Sequence, residues 1–573
     1  MLLLNPRNLT RNYPDARSRE IMEKTVAFFE KKGLTKLKED FNGAVWYADF
    51  LEFCKAEGIF SSMMTPASMA KEGEQAVWDT WRVCGFAEIL GFYGLCYWYT
   101  YQVSVLGIGP IWMSNNQGAK AKAKAKQMLD QGEIFAFGLS EKEHGADIYS
   151  SDMVVTKLPD GSYKATGGKY YIGNANKAAM VSTFGKMADG GENAGQYIFF
   201  VADSRRPDYK LVKNTVYSQN YVAEYRLEDY TFTEADVLHH GDDAWNAALN
   251  TINVGKYNLG WASIGICTHS YYEAIDHAAN RHLYGKTVTD FPHVRQLFVD
   301  AYARLLSMKL FALRAADYMK TASAEDRRYL LFNPMVKMKV TTQGEEVINL
   351  LWDVIAAKGF EKESYFAMAA QDIRCLPKLE GTVHVNMALI IKFMPNYFFF
   401  PATYPEVARR DDGANDDFLF NQGPTKGLGK IKFHDYRIAY GSYDLPNLNV
   451  FKEQIALFRE MLMKTPPTAE QQTDIDFLLT AGEMFTLVVY GQLVLENAKI
   501  YGVATEVIDQ IFDFMVRDFS KFALQLHSKP SSTPAQMEQC MKILRKPVVD
   551  ATRYNTVWEQ HALGMKDQYR MPR

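Results

Sequence analysis

The order of hydrophobic periodicities along the chain limits which folds it can adopt. From about residue 15 to residue 132, apolar residues recur at spacings of three and four, which is typical of amphipathic helices. From Ile134 to about residue 238 the pattern changes to short alternating runs, broken by turn residues such as Pro159-Asp160-Gly161. Helical periodicity returns at Trp245 and runs to about residue 394. The pattern therefore predicts an α+β protein with a β domain between two helical blocks.

Two further segments follow these blocks. Residues 395–450 are rich in Pro, Gly, Asn and Asp and are predicted to form a long connector, which in other proteins is functional or partly disordered. At 573 residues, the chain also exceeds what one hydrophobic core usually supports. We predict these parts: N-terminal helical domain 1–133, middle β domain 134–240, helical bundle domain 241–394, connector 395–450 and C-terminal helical extension 451–573.

Charge and metal-ligand patterns exclude two classes of function. The net charge of −3 gives no overall basic field that would recruit nucleic acid. The run Lys120–Lys126 has Lys at every second position, so it cannot form one stripe on a helix and is predicted to be a solvated helix surface. His239, His240 and His282 lack Cys or Asp partners at ligand spacing, so no metal site is predicted.

The chain is predicted to be a cytoplasmic protein without an integral membrane segment. Its six cysteines are scattered and form no CxxC pair, which favours reduced thiols over a disulfide framework. The N-terminal segment lacks the features of a secretory signal. The apolar stretch Phe477–Leu495 contains Glu483 and Gln492 and is predicted to be a buried helix, because a bilayer span needs about 20 nearly uncharged residues.

Four short phrases occur in order along the first three blocks. SEKEHGAD at 140–147 follows the start of the β pattern, and GGKYYIGN at 167–174 forms a later strand. NRHLYGK at 280–286 follows a helical pattern in the second helical block. LEGT at 379–382 closes that block, with Glu380 placed 20 residues after Phe360.

These phrases resemble the signatures of the acyl-CoA dehydrogenase family over about residues 15–394. The family's T-E-P-x-x-G-S-D, N-G-x-K-x-W-I-T-N, R-x-x-F-G-K and Y/F-E-G-T motifs correspond to them in the same order and on the same kind of structure. The resemblance implies that family's fold: an N-terminal helical domain, a middle β-barrel-like domain and a C-terminal four-helix bundle. The extension at 451–573 is similar in position and length to the extra helical domain of very-long-chain members.

The resemblance also implies FAD as the cofactor and assigns residues to three roles. Glu380 would be the catalytic base. The cofactor-binding positions would be Leu139, Ser140, Ala146, Tyr171, Gly173, Arg281 and Thr382, with Arg281 reaching the pyrophosphate in the neighbouring subunit. The substrate-binding positions would be Lys256, Leu379 and Gly381.

The chemistry of the proposed base agrees with its surroundings in the sequence. Oxidising a thioester across its α and β carbons needs a base on one face and a hydride acceptor on the other, and burial raises a carboxyl pKa towards the working pH. Glu380 lies between Leu379 and Gly381, and the glycine permits close approach, so the Glu380 amide could donate to the thioester carbonyl. Some family members carry the base on the preceding helix, but that position here is Gly255.

The expected reaction is dehydrogenation of an acyl-CoA to the trans-2-enoyl-CoA, as in fatty acid β-oxidation and lipid metabolism. The implied partners are an electron-transferring flavoprotein and a second copy of the chain, in a homodimer or tetramer. Two alternatives remain open: a family-fold protein without dehydrogenase activity, such as a damage-response protein, and a flavin oxidase or monooxygenase.

Several positions depart from the family pattern near the expected flavin and CoA sites, and they put the substrate and the fine flavin contacts in question. Ala146 and Gly173 replace residues with hydroxyl groups, and Lys256 replaces an arginine. The other departures are Asp353, Ala356, Ala357 and Gln371.

Overall fold

The computed structural model describes residues 2–74, 77–116, 120–191, 193–413 and 416–573. The N-terminal part is helical, as predicted. Asp15 and Asp79 cap the first and fourth helices by accepting hydrogen bonds from the backbone N–H groups of Ser18 and Arg82, at 2.6 and 2.8 Å. The helices are α1 (Ala16–Asn42), α2 (Ala48–Ala56), α3 (Ile59–Met64), α4 (Thr80–Tyr93), α5 (Leu95–Met113) and α6 (Ala121–Asp130).

The prediction for the lysine run is partly wrong. Lys126 is buried, and its ammonium pairs with Asp130 at 2.6 Å and with Glu74 at 3.1 Å. Because Ala121 and Ala125 are also buried, this side of α6 packs against the protein and is not solvated.

The β domain is one mixed sheet that follows directly on α6. Its strands run in the spatial order β6-β7-β3-β2-β4-β5-β8, and β1 pairs in parallel with β4. The pairing of β3 with β7 is irregular between Lys169 and Ile172, where Tyr171 has a φ of 61°. This bulge turns the exposed Tyr171 ring out of the regular strand. The strands are β1 (Phe135–Gly138), β2 (Val154–Lys157), β3 (Tyr163–Gly173), β4 (Met180–Met187), β5 (Tyr197–Ala202), β6 (Tyr209–Asn214), β7 (Val222–Phe232) and β8 (Val237–His240).

The second helical block packs long helices against one another and against α4 and α5. A buried π-helical turn at Val336–Val340 joins α10 to α11, and a two-stranded hairpin projects between α8 and α9. The elements are α7 (Gly241–Gly255), α8 (Asn258–Asn280), β9 (His282–Leu283), β10 (Lys286–Thr287), α9 (Pro292–Lys320), α10 (Tyr329–Met335), α11 (Thr341–Ile355), α12 (Tyr365–Cys375), α13 (Val383–Ile390) and α14 (Met394–Phe399).

The connector packs on this block. Phe433 is buried and its ring contacts those of Phe332, Phe393 and Tyr397. Aromatic packing therefore holds the connector at Phe433, and Asp417 adds hydrogen bonds from the backbone N–H groups of Ala67 and Ser68. Its C-terminal end and the extension contain α15 (Arg437–Tyr440), α16 (Pro446–Lys464), α17 (Ile475–Tyr501), α18 (Thr505–His527), α19 (Pro534–Ile543) and α20 (Ala551–Thr556).

The extension shares a core with the bundle. Within the described residues, α17 alone has the length and hydropathy of a membrane span, but 83% of its most apolar window is buried inside the protein. The Tyr490 hydroxyl of α17 donates to Ser307 at 2.9 Å, and Arg304 forms a two-bond ion pair with Asp518 of α18. The prediction that Phe477–Leu495 is a buried helix is confirmed.

Candidate active site

The predicted base lies on a tight turn between α12 and α13. Glu380 has a φ of 51° and Gly381 a φ of 84°, both in the left-handed region. For a residue with a side chain, such a backbone conformation costs roughly 1–3 kcal/mol and persists only where its surroundings hold it. Lys337, from the π-helical turn, donates to Pro377 O at 2.7 Å and to Gly381 O. One ammonium therefore ties both ends of the turn that carries Glu380.

The Glu380 carboxylate is enclosed, and one of its oxygens is free. Oε1 accepts a hydrogen bond from Gln102 Nε2 at 2.8 Å. Oε2 is buried and has no hydrogen-bond partner among the described residues. Burial raises the pKa of Glu380 to about 7, against the opposing effects of Gln102, Lys337 and Lys256. A carboxyl group with this pKa and one free oxygen has the properties of a general base near neutral pH.

Two buried lysines stand near the base. Lys256, a predicted substrate-binding residue, donates to Asn386 Oδ1 at 3.1 Å, and Asn386 in turn donates to Gly381 O and Thr382 O. Burial lowers the pKa of Lys256 to about 8 and that of Lys337 to about 7, and the Glu380 charge opposes both shifts. The structure thus brings Lys256 and Gly381 together with the base.

Helix α5 contributes side chains that the sequence analysis missed. Gln102 Nε2 also donates to Gly255 O at 3.0 Å, and its Oε1 accepts from Asn258 at 3.1 Å. Three partners therefore fix the amide that holds Glu380. Burial raises the pKa of the Tyr99 phenol, and the nearby Glu380 charge raises it further. In the sequence, the helical spacing of Tyr99 and Gln102 indicates that the two share a helix face. That spacing does not show that the face contacts Glu380.

The loop after β1 is fixed against β3. Ser140 Oγ donates to Tyr170 O at 3.2 Å, and Tyr170 N donates to Ser140 O at 3.0 Å. Lys169, also missed by the sequence analysis as a contact residue, donates to Leu139 O at 3.0 Å and to Glu141 Oε1 at 2.6 Å. These contacts hold Leu139 and Ser140 against Lys169 and Tyr170 of β3, next to Tyr171 in the bulge.

The remaining predicted positions differ in their surroundings. A Cβ atom at Gly173 would lie 2.8 Å from both the Tyr99 ring and Val103, so close packing against α5 requires glycine there. Leu379 is half-buried beside the base, and Ala146 and Thr382 are exposed. Thr382 caps α13 by accepting a hydrogen bond from Val385 N at 3.4 Å.

Arg281 lies apart from the other predicted cofactor-binding residues. It is exposed at the end of α8 and lines a cavity of about 1150 Å³ together with Ala357 and Lys358. None of the other predicted cofactor residues lines this cavity in the described part of the chain. The structure therefore does not bring Arg281 together with the other predicted cofactor residues of the same chain, and its role towards a neighbouring subunit stays a prediction.

Comparison with known proteins places these features in context. The family profile described as "Acyl-CoA dehydrogenase, C-terminal domain" matches residues 242–394. The short-chain specific acyl-CoA dehydrogenase of Megasphaera elsdenii is 20% identical over 285 residues, covering 48% of this chain and 72% of the relative. The very long-chain specific enzyme of Bos taurus is 25% identical over 280 residues, which are 46% of this chain and 42% of that enzyme.

Solved structures confirm the fold expected from the motifs. An acyl-CoA dehydrogenase of Bacillus anthracis, complexed with FAD, has a TM-score of 0.72 and 13% identity, covering 98% of this chain and 97% of that one. The butyryl-CoA dehydrogenase of Megasphaera elsdenii has a TM-score of 0.58 and 18% identity, covering 66% and 97%. The first likeness covers nearly the whole chain, so its fold includes the C-terminal extension, whereas the second covers about two thirds of the chain.

Proposed function

Because the chain belongs to the acyl-CoA dehydrogenase family, we propose that it is an FAD-dependent oxidoreductase that converts an acyl-CoA to the trans-2-enoyl-CoA. The observation that carries this proposal is the enclosed Glu380 carboxylate, with one free oxygen and a pKa raised to about 7. An ordinary surface carboxylate would be ionised and solvated, and it would be a weaker base.

Glu380 Oε2 takes the pro-R α-proton of the thioester. Gln102 holds Oε1, so the unoccupied oxygen is the one presented to the substrate. As the proton leaves, negative charge develops on the thioester carbonyl, and the backbone amide of Glu380 would donate to it. Lys337 holds the turn in its left-handed conformation and thereby fixes the Glu380 carboxylate relative to the Glu380 backbone N–H.

The residues present fit a bound FAD. Tyr171 is 60% exposed in the bulge of β3, next to the strand residues that hold Leu139 and Ser140, and its ring is available to pack on a flat ring system. Arg281 is exposed on the wall of a large cavity, where a guanidinium would make charge-assisted contacts with a pyrophosphate. When bound, FAD supplies the acceptor for the β-hydride. The likeness to structures solved with FAD or FADH2 supports this cofactor.

The proposed partners are an electron-transferring flavoprotein and a second copy of the chain. Similar proteins include a solved structure described as the electron-transferring flavoprotein of Acidaminococcus fermentans. They also include a caffeyl-CoA reductase–Etf complex subunit of Acetobacterium woodii. The hairpin next to Arg281 carries Tyr284, whose side chain is 94% exposed and suits a subunit contact. We further propose a role in β-oxidation, in the cytoplasm. The free cysteines suit that compartment.

A flavin oxidase is the second candidate. A prolyl acyl carrier protein oxidase shares the fold, with a TM-score of 0.56 and 19% identity over 66% of this chain. Such an enzyme would use the same base but return the electrons to oxygen, so the two functions differ in reoxidation.

The test is anaerobic titration of the purified yellow protein with a panel of acyl-CoAs, with flavin absorbance as the readout. Bleaching by an acyl-CoA, lost in Glu380→Gln, supports the proposal. A protein that binds no added FAD, or a flavin that no acyl-CoA reduces, contradicts it. Mixing the reduced enzyme with oxygen then separates the candidates, because rapid reoxidation with peroxide formation favours the oxidase.

A further inference from the structure

We infer that the acyl site accepts short acyl groups and is closed to long alkyl chains. This inference rests on the proposed function, since it concerns the substrate of the same site. It is carried by the way α5 packs beside Glu380. All 19 residues of α5 are buried, and the helix lies against β1, β3 and α7.

On the α7 side, α5 fills the space directly over Gly255. A Cβ atom at Gly255 would lie 2.6 Å from Leu106 Cδ2 and 2.8 Å from Gln102 Nε2, both closer than real contacts allow. The Gln102 amide is fixed there by its bonds to Gly255 O and Glu380. An alkyl chain passing the base between α5 and α7 would have to displace both side chains.

On the sheet side, the space is also filled. Tyr99 and Val103 occupy the volume over Gly173, as the 2.8 Å approaches show. Further along the helix, a Cβ atom at Gly107 would lie 2.4 Å from the backbone nitrogen of Ala136. Helix α5 therefore packs directly against the backbone of β1. It cannot move away from α7 or β3 without disturbing its close packing on β1.

The residues near Glu380 on the α7 and α8 side are polar as well as closely packed. Lys256 is fully buried, and its ammonium donates to Asn386 alone among the described residues. Asn258 Oδ1 is buried there without a hydrogen-bond partner. A long apolar chain offers these polar groups no hydrogen-bond partner, so placing it against them is unfavourable. Sterics and polarity thus favour the same class of substrate.

Chain length can be measured apart from turnover. In an open apolar tunnel, each buried methylene improves affinity by about fourfold. Octanoyl-CoA, with four more methylenes, would then bind roughly 250-fold tighter than butyryl-CoA. We propose calorimetric titration of FAD-loaded Glu380→Gln with butyryl-, hexanoyl- and octanoyl-CoA, because this variant should bind ligand without consuming it.

Octanoyl-CoA should bind no tighter than butyryl-CoA. A gain on the order of a hundredfold would overturn the inference, even if the wild-type flavin is bleached as proposed. Conversely, if no acyl-CoA bleaches the wild-type flavin but the affinities follow the predicted order, the proposed function fails and the closed site stands.

A matched pair of variants tests the location of the closure. Leu106→Ala removes the side chain over Gly255 and should increase affinity for hexanoyl-CoA severalfold relative to butyryl-CoA. Ile108→Ala removes a similar volume from a buried position roughly 200° around the same helix and should leave the ratio unchanged. Equal gains in both variants would contradict the assignment of the closure to this face of α5. The titrations of Glu380→Gln, in which α5 is unchanged, decide the chain-length question even if either α5 variant folds poorly.

Discussion

Replacing Glu380 by glutamine should inactivate the protein and yet stabilise it above neutral pH. Burial raises the pKa of Glu380 from 4.5 to about 7, and one pKa unit corresponds to about 1.4 kcal/mol. Below pH 4.5 the side chain is protonated in both folded and unfolded states, so it contributes no difference. Between pH 4.5 and 7 only the unfolded state ionises, and the folded state loses up to about 3 kcal/mol relative to a residue that does not ionise. Above pH 7 this difference is constant.

The assay compares the melting temperatures of wild type and Glu380→Gln at pH 4.5 and pH 8. Glutamine keeps the shape and still accepts from Gln102, so the variant should melt higher at pH 8 and nearly equally at pH 4.5. In the same variant the rate of flavin reduction should fall by at least about 10²–10⁴-fold. Equal melting differences at both pH values, or a less stable variant at pH 8, would refute the reasoning about desolvation.

The remaining predictions address the supports of the site. Lys337→Met removes a cation that lowers the pKa of the base, so the midpoint of the pH profile of flavin reduction should shift upward, whereas Lys339→Met on the same π-helical turn should leave it in place. Arg281→Ala should weaken FAD retention in equilibrium dialysis, and unchanged affinity, equal to that of the exposed control Arg374→Ala, would contradict the pyrophosphate role. Truncation after residue 394 should expose the bundle surface that α17 covers and reduce solubility in size-exclusion chromatography; a soluble, fully active dimer would show that the extension is dispensable.

The block order and the buried position of Glu380 were predictable because both depend on local patterns. The change of periodicity near Ile134 reflects side-chain geometry within a few residues, and the structure has its first strand at Phe135. Glu380 was selected by its fixed distance from Phe360, and the structure buries one of its carboxylate oxygens without a hydrogen-bond partner among the described residues.

The partners of the base were not predictable in the same way. Gln102 is 278 residues from Glu380 in sequence, and Lys337 reaches the turn from a π-helical segment that no hydrophobic periodicity distinguishes from an ordinary helix. The solvated surface predicted for the lysine run failed at Lys126 for a related reason: its acidic partner Glu74 lies 52 residues away. The hydrophobic pattern of the sequence therefore did not predict hydrogen bonds and ion pairs between polar groups that are far apart in sequence.

The departures from the family pattern have a common structural meaning at two positions. Gly173 lacks the hydroxyl that the family carries, and Gly255 lacks the alternative base, but in each case side chains of α5 fill the volume that a larger residue would need. The volume next to β3 and α7 is thus filled from one face of α5, which carries Tyr99 and Gln102. The same face also holds Glu380 Oε1 through Gln102, so the packing proposed to close the acyl site and the positioning of Glu380 involve the same helix face. Under the proposed function, side chains of α5 pack over both glycines and hold Glu380, so neither position needs a larger residue for packing or for holding the carboxylate.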